Sequence, residues 1–197
     1  GEMAKFDPET KEFQIFSGAP APRKRGGYPH TLRVAADGKK VWWTDAALGV
    51  ASIDTESFEV KFYKLPSADQ VQGGGARGEA RGVTPYGIDL APDGKVWYTK
   101  LNGQRVGRID PTKADGDPEQ IKEWEPPVHG PRRLHVAADG LVWVPGWASG
   151  DIASYDEAKD EWKVYDLPHG VNSLPYALNI HPQTGDIWIC GTGSDSM

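Results

Sequence analysis

The chain has 197 residues, of which 38% are hydrophobic and 25% are charged, a balance that is ordinary for a globular domain. Its formal net charge of −6 disfavours nucleic acid and anionic membrane surfaces as partners. No stretch of about 18 apolar residues occurs, so the sequence predicts no membrane-spanning helix. With 24 glycines, 16 prolines and 8 tryptophans, the chain fits an all-β protein that is rich in turns.

One pattern of two apolar strands joined by a turn occurs four times along the chain. Each copy alternates apolar and polar residues, reaches a turn, and continues into a second apolar strand. The copies are LRVAADGKKVWWT from Leu32, IDLAPDGKVWYTK from Ile88, LHVAADGLVWVP from Leu134 and LNIHPQTGDIWIC from Leu178. They align four tryptophans, which we predict to be core residues: Trp42, Trp97, Trp143 and Trp188. The single cysteine, Cys190, is predicted to be a small buried hydrophobe.

A third and a fourth strand follow each of the first three copies, and one further pair opens the chain. The fourth strands are FQIF, VKFYKLP, IKEWEPP and WKVYDLP. The second position of every third strand is a small residue: Ala4, Ala51, Gly107 or Ala153. This regularity predicts that another part of the protein packs closely against the backbone there.

A repeat of about 45 residues with four short strands is the signature of a β-propeller, whose blades stack radially because no blade buries both faces alone. We therefore predict an all-β fold, a single propeller domain or segment of four-stranded antiparallel blades. Residues 28–66, 83–127 and 130–168 are predicted to be full blades. Residues 1–17 are predicted to be the outer half of another blade, and residues 175–197 an inner half.

Two ways of closing the propeller are open. The two half-blades could pair into a fourth blade and close a ring, or the chain is a segment of a larger, seven-bladed-like propeller. By its spacing, Met197 falls on the first position of a third strand, which Met3 would also claim in a closed ring. The spacing therefore favours a larger propeller, within the usual range of about four to eight blades.

The repeat also predicts where a ligand would bind. Asp-Gly turns join first to second strands on one face, the turn face, whereas the longer connections lie on the opposite loop face, where function tends to gather. The candidate residues at the channel mouth of the loop face are His30, Tyr86, Arg132 and Tyr176 at the starts of inner strands, Asp45, Lys100 and Trp147 at the ends of second strands, and His129 and His169 in the entering loops.

The units PYGIDLAPDGKVWYTKLNGQRVGRIDP and YPHTLRVAADGKKVWWTD resemble those of the virginiamycin B lyase, or streptogramin lyase, family. That family is a seven-bladed propeller built from units of the form PxGIxxxPDGxxWFTExxxxxIGRI. The resemblance covers nearly the whole chain and is specific for the repeat type. It is less specific for activity, because many propellers with this repeat are not lyases.

The resemblance implies a magnesium-assisted elimination that opens a cyclic depsipeptide at its ester bond, with two histidines in PH motifs and a glutamate after a second strand. Carried over to this chain, His30 in Tyr28-Pro29-His30 matches one PH motif, and Asp45 lies near the place of the glutamate and is the candidate magnesium ligand. The inner strand that should hold the second histidine would lie before Gly1. The other inner strands begin PYG, GPRR and PYA, without histidine.

Three functions remain open, and whether the chain is an enzyme is not decided by the sequence. The incomplete site favours a non-catalytic binding or scaffold module of a larger exported bacterial protein, periplasmic or extracellular by analogy. It would hold a protein partner or a small-molecule ligand at the loop face. The alternatives are a magnesium-dependent lyase that uses His30 and Asp45, and a gluconolactonase-like, metal-dependent lactonase. The lactonase would need Glu, Asn and Asp in the channel, where this chain mostly has Tyr and Arg.

Overall fold

A computed structural model describes residues 2–17, 29–45, 49–66 and 85–193 of the chain. Apart from Ser17, the predicted long connections at 17–27 and 67–82 lie outside the described residues, as do the predictions that concern Tyr28 and Met197. Within these residues the chain forms sixteen strands and one short 3-10 helix.

The strands form five antiparallel sheets in which neighbours along the chain are neighbours in space. The chain opens with a two-stranded sheet of β1 (Glu2–Phe6) and β2 (Phe13–Ser17). Blade I contains β3 (Pro29–Val34), β4 (Lys40–Asp45), β5 (Gly49–Asp54) and β6 (Val60–Tyr63). Blade II contains β7 (Pro85–Leu90), β8 (Val96–Lys100), β9 (Arg105–Ile109) and β10 (Ile121–Trp124). Blade III contains β11 (His135–Val136), β12 (Val142–Gly146), β13 (Asp151–Asp156) and β14 (Glu161–Asp166). After a 3-10 helix (Gly170–Ser173), β15 (Pro175–Ile180) and β16 (Ile187–Gly191) form the last two-stranded sheet.

Four-stranded antiparallel meanders of this kind are propeller blades, and the predicted all-β propeller class is confirmed. Among the described residues, no helix is long and apolar enough to cross a membrane.

The hydrophobic core lies mainly between neighbouring blades. One cluster joins Trp97 of blade II to Leu134 and Tyr155 of blade III, and another joins Trp42 of blade I to Ile88 of blade II. Because each blade is covered by the next one, the aligned tryptophans Trp42 and Trp97 are buried, as predicted.

Small residues in the third strands allow this close packing. Ala51 and Ala153 are fully buried, and a Cβ atom at Gly107 would lie 2.1 Å from Cζ of Tyr98. Close packing is thus seen directly at Gly107, the equivalent alanines of blades I and III are buried, and Ala4 in the opening sheet is exposed.

Two burial predictions for the last sheet are wrong. Trp188 has 59% of its surface exposed, and Cys190 is also exposed. Both lie on β16, and no other described sheet covers the side of the β15–β16 pair on which they lie. A sequence repeat predicts the position of a side chain, but its burial also needs a neighbouring blade.

Candidate functional site

A proline stands at the loop-face end of each described inner strand: it is the first residue of β3, β7 and β15, and in blade III it precedes β11 and forms an isolated bridge. Pro29, Pro85, Pro131 and Pro175 pair respectively with Asp45, Lys100, Gly146 and Gly191, the last residues of the second strands. The first position of a strand suits proline, which has no N–H to donate to the ladder. The residues that follow these prolines, His30, Tyr86, Arg132 and Tyr176, therefore occupy equivalent positions around the channel.

The structure brings these four residues into one continuous group. We call the five residues His30, Tyr86, Arg132, Trp147 and Tyr176 the loop-face cluster. The ring centroids of His30 and Tyr86 are 4.1 Å apart, and Nδ1 of His30 lies 3.3 Å from the carbonyl oxygen of Tyr86. Burial lowers the pKa of His30, the Tyr86 carbonyl opposes this effect, and the charge of Arg133 adds to it. The imidazole is therefore neutral near pH 7.

Tyr86 and Tyr176 share a hydrogen bond between their hydroxyl groups, with the rings packed edge to face at 6.2 Å. Burial, together with the hydroxyl of Tyr176, raises the pKa of Tyr86. The hydrogen bond from Tyr86 and the charges of Arg133 and Arg132 lower the pKa of Tyr176 against the effect of burial. Either hydroxyl group can be the donor in this bond.

Arg132 lies at the centre of the loop-face cluster, surrounded by aromatic rings. Its guanidinium carbon is 4.1 Å from the ring centroid of Trp147, 4.8 Å from that of Tyr176 and 5.5 Å from that of Tyr86. Its Nη1 group donates a long, 3.5 Å hydrogen bond to the Tyr86 hydroxyl. Its Nε atom is buried and has no acceptor within the described residues. Such a side chain combines cation–π attraction with unused donor capacity.

Threonines of the second strands hold the backbone of the cluster in place. Oγ1 of Thr44 in blade I donates to the carbonyl of Tyr86 in blade II at 2.9 Å. Oγ1 of Thr99 in blade II likewise donates to the carbonyl of Arg132 in blade III at 2.5 Å. The inner strands of blades II and III are therefore each tied to the preceding blade at the residue that belongs to the cluster.

Trp147 reaches the cluster from the end of β12. Its indole Nε1 donates to Oγ1 of Thr192 at 3.2 Å, and this bond fixes the ring beside Arg132. Trp147 follows Gly146 as Thr192 follows Gly191, so the two residues are equivalent in the repeat.

Four other candidate residues do not join this group of contacts. Asp45 is only 2% exposed at the end of β4, opposite Pro29. Lys100 is completely buried inside blade II, with its Nζ atom 3.6 Å from Oε1 of Glu123, and burial lowers its pKa against the effect of Glu123. His129 and His169 are both exposed on their loops.

The part of the chain that the structure describes contains no group of three or more His, Cys, Asp or Glu side chains that could hold a metal ion. His30 and Asp45 alone do not supply the several oxygen ligands that magnesium prefers. The described residues therefore do not fit the magnesium site that the lyase resemblance implies.

A second ring of polar residues, which the sequence analysis did not identify, lies on the inner strands, three residues after His30, Tyr86 and Arg132. Arg33, Asp89 and His135 stand opposite the aligned tryptophans of blades I, II and III. Asp89 accepts a hydrogen bond from Nε of Arg33 at 2.9 Å and lies 2.7 Å from Nδ1 of His135, so that it links three blades. The equal spacing from His30, Tyr86 and Arg132 was the signal that could have revealed this ring.

Asp89 is 6% exposed and also accepts a bond from the backbone N–H of Val136 at 2.9 Å. Burial alone would raise its pKa, but the bonds from His135, Val136 and Arg33 outweigh burial and hold the pKa below the ordinary range. The three residues line a cavity of about 1190 Å³ on the turn face.

No protein-family model matches the chain, and no curated protein matches it in sequence. Solved structures do match. A catalytically inactive virginiamycin B lyase from Staphylococcus aureus, solved with quinupristin, superposes with a TM-score of 0.73 at 25% identity, over 95% of this chain and 55% of that one. A streptogramin B lyase gives a TM-score of 0.74 at 20% identity, over 96% and 55% of the two chains.

Other propellers are similar with lower identity. A chain of the nidogen/laminin complex gives a TM-score of 0.66 at 16% identity, over 98% of this chain and 66% of that one. The extracellular domain of a one-component system from B. thetaiotaomicron gives 0.65 at 13%, over 96% and 27%. The chain is thus a β-propeller of the type seen in the virginiamycin B lyases, and it spans about half the length of the lyase structures that it matches.

Proposed function

We propose that the chain is a ligand-binding module of a larger exported β-propeller protein, and that the loop-face cluster is its binding site. The observation that carries this proposal is the guanidinium of Arg132, which lies among three aromatic rings with an unpaired, buried Nε. Side chains of this kind, at the mouth of a propeller channel, suit a small molecule or peptide that offers a ring and hydrogen-bond acceptors.

Binding without catalysis is favoured by the state of the residues that the lyase resemblance singled out. Asp45 is buried, and the positions equivalent to His30 carry Tyr86, Arg132 and Tyr176 rather than a second histidine. Export is supported by the likeness to an extracellular domain and to a chain of the nidogen/laminin complex. A protein partner would offer its ligand as an exposed peptide segment.

The binding proposal is tested with N-acetyl-phenylalaninamide, a neutral aromatic peptide analogue, and two-dimensional ¹H–¹⁵N NMR. The indole N–H peak of Trp147, assigned by its loss in Trp147→Phe, should shift in a saturable way, because the ring lies in the cluster. The indole peak of Trp143, which lines the turn-face cavity, serves as the control and should not move. If the Trp143 peak shifts and the Trp147 peak does not, the loop-face cluster is not the binding site.

A second candidate function, a lyase, is favoured by one observation: His30 is neutral near pH 7 because burial lowers its pKa. A neutral imidazole at an inner-strand start is in the right state to remove a proton next to an ester carbonyl.

Quinupristin, which is bound in the lyase structure, tests this candidate in the presence of magnesium chloride. Elimination leaves the mass unchanged, so the reaction is followed by liquid chromatography and by NMR of the new double bond. We expect quinupristin to remain intact. A magnesium-dependent product that disappears in His30→Ala would replace the binding proposal with the lyase.

A further inference from the structure

The described arginines differ in how their charge is balanced. Arg33 pairs with Asp89, Arg105 with Glu125 and Arg108 with Glu157, at N–O distances of 2.9, 3.0 and 2.5 Å. Arg132 and Arg133 form no ion pair with any residue that the structure describes, although the chain as a whole carries a net charge of −6. Two adjacent, unbalanced positive charges therefore lie together at the mouth of the channel in an otherwise acidic protein.

From this contrast we infer that the ligand of the loop-face cluster carries a carboxylate group, which binds to Arg132 and Arg133. The inference rests on the proposed binding function and specifies the chemistry of the ligand. A guanidinium is the side chain that recognises a planar carboxylate best, because its edge presents two parallel N–H groups.

The surroundings of Arg132 are aromatic rather than acidic. Its guanidinium carbon lies 4.1 to 5.5 Å from the centroids of three rings, which attract the cation but accept few of its N–H groups. Within the described residues, the Nη1 bond is long at 3.5 Å and the buried Nε has no acceptor, so the side chain keeps donor capacity for a ligand. Since a buried donor without an acceptor is unfavourable, a bound carboxylate that reaches it would relieve that cost.

The tyrosine pair supplies a further donor. Tyr86 and Tyr176 have two hydroxyl protons, but their mutual hydrogen bond uses only one of them. The remaining proton can be donated to an oxygen atom of a ligand. Arg133 is exposed and lies 5.4 Å from the ring centroid of Tyr176, so its charge acts on the same region. Arg132, Arg133 and a tyrosine hydroxyl thus lie around the same pair of rings, which suits an anion.

A matched pair of probes tests the inference: N-acetyl-phenylalanine, which carries a carboxylate, and N-acetyl-phenylalaninamide, which is neutral. Titration followed at the Trp147 indole peak should give about tenfold tighter binding for the acid, the order expected for a charge-assisted bidentate bond. Arg132→Gln should remove this preference. Arg33→Gln, which alters an arginine on the turn face, should leave it unchanged.

Salt gives an independent measurement on the unaltered protein, which is needed if Arg132→Gln does not fold. Added sodium chloride should weaken binding of the acid and leave that of the amide unchanged, and Arg133→Gln should reduce the preference in part. Equal affinities for acid and amide would overturn the carboxylate inference while leaving the binding function in place. Tighter binding of inorganic phosphate than of the acid would also overturn it. Failure of both aromatic probes to shift the Trp147 peak would instead contradict the proposed function.

Discussion

Replacing Asp89 by asparagine should lower the free energy of unfolding by about 2–3 kcal/mol. The buried carboxylate accepts three hydrogen bonds, and the substitution replaces one of its two acceptor oxygens by an NH₂ donor. The carboxylate accepts from Arg33, His135 and the Val136 N–H. The asparagine NH₂ would face one of these donors. Arg33 and His135 are partly exposed, so water can replace some of the lost bonds, and the expected cost stays below that of a fully buried ion pair. Urea denaturation monitored by tryptophan fluorescence measures the change.

The matched control is Asp93→Asn. Asp93 also forms an ion pair, with Lys95 at 3.0 Å, but 54% of its side chain is exposed. An exposed pair of this kind contributes little, so this variant should change the unfolding free energy by less than about 0.5 kcal/mol. Equal effects of the two substitutions would show that the ring of Arg33, Asp89 and His135 does not stabilise the contacts between blades.

The effect of Asp89 should also depend on pH in a defined direction. Because its pKa is held below the ordinary value of 3.8, the unfolded chain takes up a proton at this residue before the folded one does as the pH falls. The stabilisation is therefore fully present above that value and is lost as the pH falls through the lower, folded pKa. The stability difference between the wild type and Asp89→Asn should be largest near about pH 7 and should shrink near about pH 3. A difference that stays constant over this range would contradict the assignment.

The fold could be predicted from the sequence because its signals are local and repeated. Alternating apolar residues, Asp-Gly turns and one tryptophan per copy mark the strands, and four copies in the same order identify a propeller. Burial in the last sheet could not be predicted in the same way. Trp188 repeats the pattern of Trp97, but Trp97 is covered by blade III, whereas no described sheet covers the side of β15–β16 on which Trp188 lies.

The candidate site was predictable only where side-chain position follows from strand register. His30, Tyr86, Arg132 and Tyr176 each follow a proline at the start of an inner strand, and the structure places them in contact. The burial of Lys100 was not predictable in this way, because its partner, Glu123, lies on another strand, β10.

The ring around Asp89 was missed for a different reason. Its three members lie on three blades, and nothing in the local sequence of one blade identifies its partners on the next. An alignment of the inner strands that extends three residues beyond His30, Tyr86 and Arg132 would have placed the three members at equivalent positions.

Gly107→Ala should destabilise the chain by about 3 kcal/mol, the upper end of the usual cost of overpacking. The added Cβ atom would lie 2.1 Å from Cζ of Tyr98 and 2.4 Å from its hydroxyl oxygen. Tyr98 cannot yield easily, because its ring is completely buried and its hydroxyl donates a 2.7 Å hydrogen bond to Glu123. Thermal and urea denaturation, followed by circular dichroism, measure the loss.

A double-mutant cycle with Tyr98→Leu identifies the clash as the cause. Tyr98→Leu alone should also be destabilising, since it removes the bond to Glu123 and leaves a cavity. It also removes the ring atoms that the new methyl group would meet, so Gly107→Ala should cost less than about 1 kcal/mol in this background. Gly107 is the equivalent in blade II of Ala51 in blade I and Ala153 in blade III. Only the glycine is paired with a tyrosine, Tyr98, on the neighbouring second strand, and this pairing is the reason for the expected coupling. If Gly107→Ala costs the same with and without the tyrosine ring, the small residue is required by the backbone of β9 rather than by Tyr98.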